Sequence, residues 1–247
     1  GQALYSCLLN HKAGIIDDLI AYRIHSEHYR LIINAGSIQK DMDWLNEHAF
    51  DDTLSIKKLE NHVILALQGP KTKEYLPAIF SPSLAEKIID LKPFESCLHE
   101  GTMIARTGYT GEWGVEIIAP ADEGLTYWIR ALQAGAAPCG LASRDTLRLE
   151  AAYPLYGSDM NESTSPLESN LAWTLSMNDQ NRAFIGREAL IQQQTSGLSQ
   201  QLVGVIMTAP GVLRNQDILH FDNQQKGVIT SGSFSTTLGH AIALARV

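Results

Sequence analysis

The sequence predicts an α+β fold of more than one lobe, closed by an all-β module. Strand-like and helix-like runs mix from Ala3 to Gln133 without the strict β-α-β alternation of a doubly wound parallel sheet. From Leu202 onward only strand-like runs recur. A chain of 247 residues, 45% of them hydrophobic, is long enough for a substantial core, arranged as one large domain or as two or three small ones.

Residues 3–9 and 15–24 read as strands, and 29–34 returns beside the second across the polar Ser26-Glu27 turn. Ile38, Met42, Leu45 and Ala49 then recur at helical spacing behind Ser37, a residue type that caps helix N-termini. Residues 63–68 predict a buried strand stopped by Gly69-Pro70, with helices over 71–80 and 82–91. Strands over 102–106 and 114–119 flank a glycine-punctuated turn at 108–114, and a helix over 123–133 follows. After the Gly140 turn, Ala142 or Ser143 marks another helix start. The Gln/Ser/Thr-rich stretch 192–201 reads as a linker, and 202–207, 227–231 and 240–245 as strands of the final module.

A net charge of −8 with acidic and basic residues interspersed leaves no block suited to a phosphate backbone, so nucleic acid is not an expected partner. Cys7, Cys97 and Cys139 lack the paired spacing of a zinc or redox motif, which fits a reducing compartment and predicts no metal. No apolar run reaches the length of a membrane span, and a soluble protein without membrane association is expected. The chain opens almost directly into one strand-like run and ends in another, which suggests an internal portion of a longer protein.

Asp17 and Asp18 interrupt an apolar run, Ile15-Ile16 before them and Leu19-Ile20 after. Adjacent strand residues point to opposite faces, so the two carboxylates are expected apart, with at most one lining a buried pocket. A strand-end turn or bulge with both aspartates in water is the alternative. In the 108–114 turn, three glycines permit close backbone approach to a planar ligand, and Tyr109 and Trp113 offer flat faces; a hairpin loop with an aromatic plug is the commoner reading of these residues. Glu116, on the strand leaving that turn, can accept two hydrogen bonds from an amino-pyrimidine edge. Arg144 and Arg148 lie one helical turn apart, Asp145 can pair with Arg148, and Arg144 is free to present its fork to a ligand. His25 and His28 straddle the first hairpin turn without a third ligand and are expected to be solvated.

Three segments taken together carry a resemblance. They are Gly14-Ile15-Ile16-Asp17-Asp18-Leu19-Ile20, Gly108-Tyr109-Thr110-Gly111-Glu112-Trp113-Gly114-Val115-Glu116, and the run from Cys139 to Tyr156 continued by Gly157-Ser158-Asp159-Met160 and Thr164-Ser165-Pro166-Leu167-Glu168. In this order, and with the resemblance running from end to end, the chain resembles the aminomethyltransferase family of glycine cleavage system T proteins. The resemblance implies a cloverleaf of α+β and β lobes around a folate-binding channel, with a β-barrel-like C-terminal module. It implies transfer of the one-carbon unit of an aminomethyl group, carried on the lipoyl arm of the H protein, to tetrahydrofolate as co-substrate, with release of ammonia. By the same resemblance Asp18 is the catalytic carboxylate, Glu116 binds the pterin and Arg144 contacts the folate. Tyr5, Tyr22, Asn34, Tyr109 and Trp173 are further pocket residues, although Tyr5 and Tyr22 also read as core.

Two other functions share this ancestry: a folate-dependent demethylase of methylated amines or sulfur compounds, and a non-catalytic folate-binding iron–sulfur maintenance protein. The Lys-Gly-Cys-Tyr-type signature of the latter is absent. The expected division is 1–196 for the folate-binding region and 197–247 for the all-β module. The expected location is the bacterial cytoplasm, or the mitochondrial matrix in a eukaryote.

Overall fold

The structure, a computed structural model, describes residues 1–49, 53–222 and 224–247. It opens on a three-stranded sheet in the order β1 (Gln2–Leu9), β2 (Ile15–His25) and β3 (His28–Ile33), followed by α1 (Ile38–Glu47). The chain divides into two compact units, one of residues 1–4, 21–31 and 46–144, the other of residues 5–20, 32–45 and 145–247.

In the first unit an antiparallel sheet runs in the order β4 (His62–Gln68), β7 (Gly114–Pro120), β6 (Thr102–Ala105) and β5 (Ser96–His99). The helices α2 (Thr72–Ile79), α3 (Pro82–Ile89) and α4 (Ala121–Gln133) belong to the same unit. Its core gathers Leu76, Ile79, Ile88, Ile104, Val115 and Ile117, all essentially inaccessible to water. Each such side chain contributes about 1.5–3 kcal/mol on burial. Pro82 occupies the first turn of α3, where its missing N–H costs nothing, and sets the helix start that the sequence predicts. Gly124 lets α4 approach β4: a Cβ there would meet Val63 Cγ2 at 2.2 Å.

In the second unit the C-terminal sheet runs in the order β8 (Leu202–Ile206), β11 (His240–Arg246), β10 (Gln224–Ser235) and β9 (Ile218–Phe221). Every pair is antiparallel, with register shifts between Ile229 and Ser231 and between Gln225 and Gly227. The all-β ending is therefore present, longer in β10 than the sequence reading and with β9 added. The end of α5 (Leu141–Glu150) is fastened to this sheet by Arg148, which is buried rather than on the surface. Its guanidinium donates to Asp145 at 2.8 Å, Asp159 at 2.7 Å and Ser231 Oγ at 2.9 Å. Such a pair fixes geometry more than it adds net stability.

The expected linker is half wrong. Residues 187–196 form α6 (Arg187–Ser196), stopped by Gly197 at a φ of 88°. Its run of Arg, Glu, Ala, Leu and Gln is made of good helix formers, and Leu190 is buried in the core with Leu9, Ile15 and Met160. Polar composition there reflects a solvated helix face. No described helix is long and apolar enough to cross a membrane.

Candidate functional site

Tyr5, Asp18, Asn34 and Trp173 converge in the second unit. Strand alternation holds, since Asp17 is buried with Ile15 and Leu19 while Asp18 is half-exposed. Yet the two carboxylates are not kept apart. The Asn34 side-chain nitrogen lies 2.8 Å from Asp17 Oδ1 and 2.9 Å from Asp18 Oδ1, so one amide on the loop after β3 bridges both. Asp17 Oδ1 also accepts the backbone N–H of Asp18 at 2.8 Å. This corrects the expectation that opposite faces separate the pair, because the Asn34 amide just past the neighbouring β3 reaches a carboxylate oxygen of each. It also excludes the reading with both aspartates in water.

The Tyr5 hydroxyl donates to Asp18 Oδ2 at 3.0 Å, and the Tyr5 ring stacks on the exposed Trp173 with centroids 5.6 Å apart. Asp18 thus holds a donor on each oxygen. Burial nevertheless pushes its pKa above the ordinary aspartate value, with Tyr5 and Asn34 opposing and Asp17 reinforcing the rise. Nearby Cys7 is pushed up to about 12, first by burial and then by the charge of Asp18, so it stays a thiol and offers no nucleophile. Lys40, from α1, donates to the Ile16 carbonyl at 2.5 Å and the Tyr156 hydroxyl at 2.6 Å.

Tyr22, Tyr109, Glu116 and Arg144 belong to the first unit. Thr107 donates to Glu116 Oε2 at 2.6 Å, and its oxygen lies 3.1 Å from the Tyr22 hydroxyl. A threonine has one proton to give, so Tyr22 donates to Thr107 and Thr107 to Glu116. Tyr22 has no accessible surface, which makes it a support for Glu116 rather than a wall a ligand can touch. Burial, ahead of the Glu116 charge, raises its pKa and keeps it neutral. The exposed Arg144 guanidinium sits 4.5 Å from the Tyr109 ring centroid, a cation–π pairing that orients the fork.

The 108–114 turn works differently from the sequence reading. A Cβ at Gly108 or Gly114 would collide with the Gln68 side chain at 2.0 and 2.4 Å. Gln68 Nε2 donates to the Thr107 and Val115 carbonyls, and Thr110 donates to Gln68 Oε1 at 3.1 Å. Two of the glycines therefore make room for a glutamine that braces the turn, not for a planar ligand. Trp113 packs against the first unit's core, with Lys73 and Arg106 over its ring.

With this geometry in view, comparison with known proteins decides the family. Residues 1–179 match the GCVT N-terminal domain and residues 200–247 the glycine cleavage T-protein C-terminal barrel domain. The chain belongs to the glycine cleavage T-protein family. An aminomethyltransferase of Francisella philomiragia is 48% identical over the whole chain, which spans 69% of that relative. One from Francisella tularensis subsp. tularensis is 45% identical over 246 residues, again 69% of its length. The crystal structure of glycine cleavage system aminomethyltransferase T from Bartonella henselae superposes with a TM-score of 0.92 at 33% identity, covering 100% of this chain and 68% of that one.

Sequence reasoning passes over Thr107 and Gln68 in the first unit and Lys40 and Asp41 in the second. Thr107 and Gln68 act through contacts distant in sequence and carry no local signal. Lys40 and Asp41 did carry one, an adjacent charged pair at the start of an amphipathic helix behind Ser37. Among the described residues no group of three or more His, Cys, Asp or Glu is placed to hold a metal ion. His25 and His28 are both exposed at the turn between β2 and β3, ring edge to face at 5.2 Å.

Proposed function

We infer that this chain acts as the aminomethyltransferase of the glycine cleavage system, transferring the one-carbon unit of an aminomethyl group to tetrahydrofolate. The family membership carries the reaction class, and the environment of Asp18 is the observation that supports the mechanism. That carboxylate is half-buried, raised in pKa, and aimed by Tyr5 on one oxygen and Asn34 on the other. A fixed carboxylate in low dielectric stabilises positive charge as it develops on the transferred carbon, without reorganising at the moment of reaction. Tyr5 and Asn34 hold its oxygens, and Cys7 beside it stays a thiol.

The donor set of the first unit fits a pterin. Glu116 is half-buried, and Oε1 accepts no hydrogen bond among the described residues while Oε2 is held by Thr107. A carboxylate with one oxygen anchored and one available suits an amino-pyrimidine edge. Arg144, oriented on Tyr109, is suited to the anionic part of a folate. Tetrahydrofolate, when bound, supplies the nitrogen that accepts the one-carbon unit. The protein's part is to position and to stabilise charge. The lipoylated H protein is the proposed donor, with ammonia and the reduced lipoyl arm as the other products. Tetrahydrofolate-dependent ammonia release from aminomethyl-lipoyl H protein tests the assignment, and release that proceeds equally without the folate contradicts it.

A further inference from the structure

Asp41 is a buried charged residue beside the Asp17–Asp18 strand that the proposed function leaves unused. It lies on the first turn of α1, wholly inaccessible to water, and among the described residues neither of its carboxyl oxygens has a hydrogen-bond donor. Asp17 is equally buried. Its Oδ1 is occupied by Asn34 and the Asp18 N–H, whereas its Oδ2 is also without a donor. The helix that carries Asp41 lies against β2, since the adjacent Lys40 donates to the Ile16 carbonyl next to Asp17, and Asp17 is the neighbour that, after burial, raises the Asp41 pKa. Two carboxylates facing each other in a dry interior, with three oxygens short of a donor, cannot both be ionised at acceptable cost. One proton placed between them removes the repulsion and gives Asp17 Oδ2 its missing donor.

We propose that Asp41, in its carboxylic acid form, is a positioning residue for aminomethyl transfer: it donates to Asp17 Oδ2 and so locks the Asp17–Asn34–Asp18 arrangement that aims the catalytic carboxylate. The proposal rests on the assignment of Asp18 made above. The chain of contacts is continuous. Asp41 holds Asp17, Asp17 holds the Asn34 amide and the Asp18 backbone N–H, and Asn34 holds Asp18 Oδ1. The charged groups facing Asp41 are Asp17 and Asp18 from β2 and Lys40 from its own helix, the last drawn toward Tyr156 and Glu162. Burial, then the Asp17 hydrogen bond and charge, push Asp41 up to about 7, with Lys40 only partly opposing them. The lock is therefore present at and below neutrality and opens as the proton leaves.

Two measurements on the full-length protein test this, one independent of activity. Carboxyl carbon-13 NMR titration of aspartate-labelled protein is expected to show a group with a midpoint near 7 that disappears in Asp41→Asn. A spectrum with no aspartate titrating above the ordinary range overturns the shared proton, whatever the assay gives. The second is kcat against pH for wild type, Asp41→Asn and Asp41→Leu. Wild type is expected to lose kcat above neutrality. Asp41→Asn, whose amide donates permanently, should hold kcat within about threefold of the wild-type maximum and lose that alkaline fall. Asp41→Leu should lower kcat tenfold or more with tetrahydrofolate affinity little changed. If Asp41→Leu does not fold, Asp41→Asn alone decides: an alkaline limb identical to wild type overturns the positioning role. Failure of the function itself is distinct, because Asp18→Asn would then leave transfer intact while the carboxyl titration stood.

Discussion

At the scale of single residues, Thr107 links two side chains whose roles the sequence leaves ambiguous. It accepts from Tyr22 and donates to Glu116, so the aromatic residue reaches the carboxylate only through a hydroxyl. Glu116→Gln replaces an acceptor with an amide that can present a donor, and is expected to weaken tetrahydrofolate binding by about 1.5–3 kcal/mol, the worth of one charge-assisted hydrogen bond. Calorimetric titration checks it; unchanged affinity with lowered thermal stability would make Glu116 a structural residue. Thr107→Val should weaken binding in the same assay and also destabilise the fold by about 1–3 kcal/mol, because the Tyr22 hydroxyl is left buried without a partner.

Asp41 makes a stability prediction of definite sign. Unfolded aspartate titrates near ~3.9, whereas folded Asp41 titrates at about 7. The folded state binds the proton more tightly, so this contribution is complete below the unfolded value and is lost as pH rises through the folded one. Urea midpoints of wild type should therefore fall relative to Asp41→Asn between pH 4.5 and 8; parallel curves would contradict the raised pKa. Asp18, Glu116 and Arg144 are singled out in the sequence by the family resemblance of the segments that contain them. Thr107 lies in no such segment, because its significance is its contacts with residues distant in sequence, and Asp41 shows locally only as a charged residue at the start of an amphipathic helix.

At the scale of elements, several strands and helices of the first unit are legible from clear punctuation, whereas the short β5 is not read from the sequence. Gly69-Pro70 ends β4, Pro82 opens α3 and Gly114 opens β7. The 192–201 stretch is polar enough to read as a linker, yet its first half continues a run of helix formers, and α6 contributes only Leu190 as a fully buried anchor. The glycines of the 108–114 turn were recognised as necessary but for the wrong neighbour, since sequence does not reveal that Gln68 lies beneath them. Gly14, at the entry to β2, shows the same kind of constraint. A Cβ there would lie 1.8 Å from the Glu162 carbonyl oxygen, and the next residue donates to Asn161 and Thr164. Gly14→Ala must displace backbone from backbone, and a large loss of thermal stability is expected together with reduced turnover, since β2 carries Asp17 and Asp18. A midpoint within a degree or two of wild type would show that the loop yields freely.

At the scale of the whole molecule, the sequence boundary near 197 and the folding unit are different things. The family domains divide between 179 and 200, which agrees with a C-terminal module in sequence. In the structure the same sheet is tied to 145–171: Arg148 and Asp159 bond to Ser231, Thr230 bonds to Asp159, and Arg246 reaches the Asp159 and Glu168 carbonyls. The β8–β11 sheet is therefore expected to open together with the end of α5 in native-state hydrogen exchange, at a common free energy. Exchange of the sheet at markedly lower protection than residues 145–150 would contradict that coupling.

The proposed role of Asp18 is exercised on the reacting centre rather than on the affinity for folate. Its carboxylate is aimed by Tyr5 and Asn34 and raised in pKa by its surroundings, and the isosteric amide would keep the shape while removing the charge. The measurement that tests it most directly is kcat for tetrahydrofolate-dependent ammonia release, set beside the tetrahydrofolate dissociation constant, for Asp18→Asn and wild type. The account predicts a fall in kcat of at least about a hundredfold, the scale of a lost electrostatic stabiliser, with the dissociation constant changed only a few fold. Near-normal kcat, or an equal loss of turnover and binding, would contradict it.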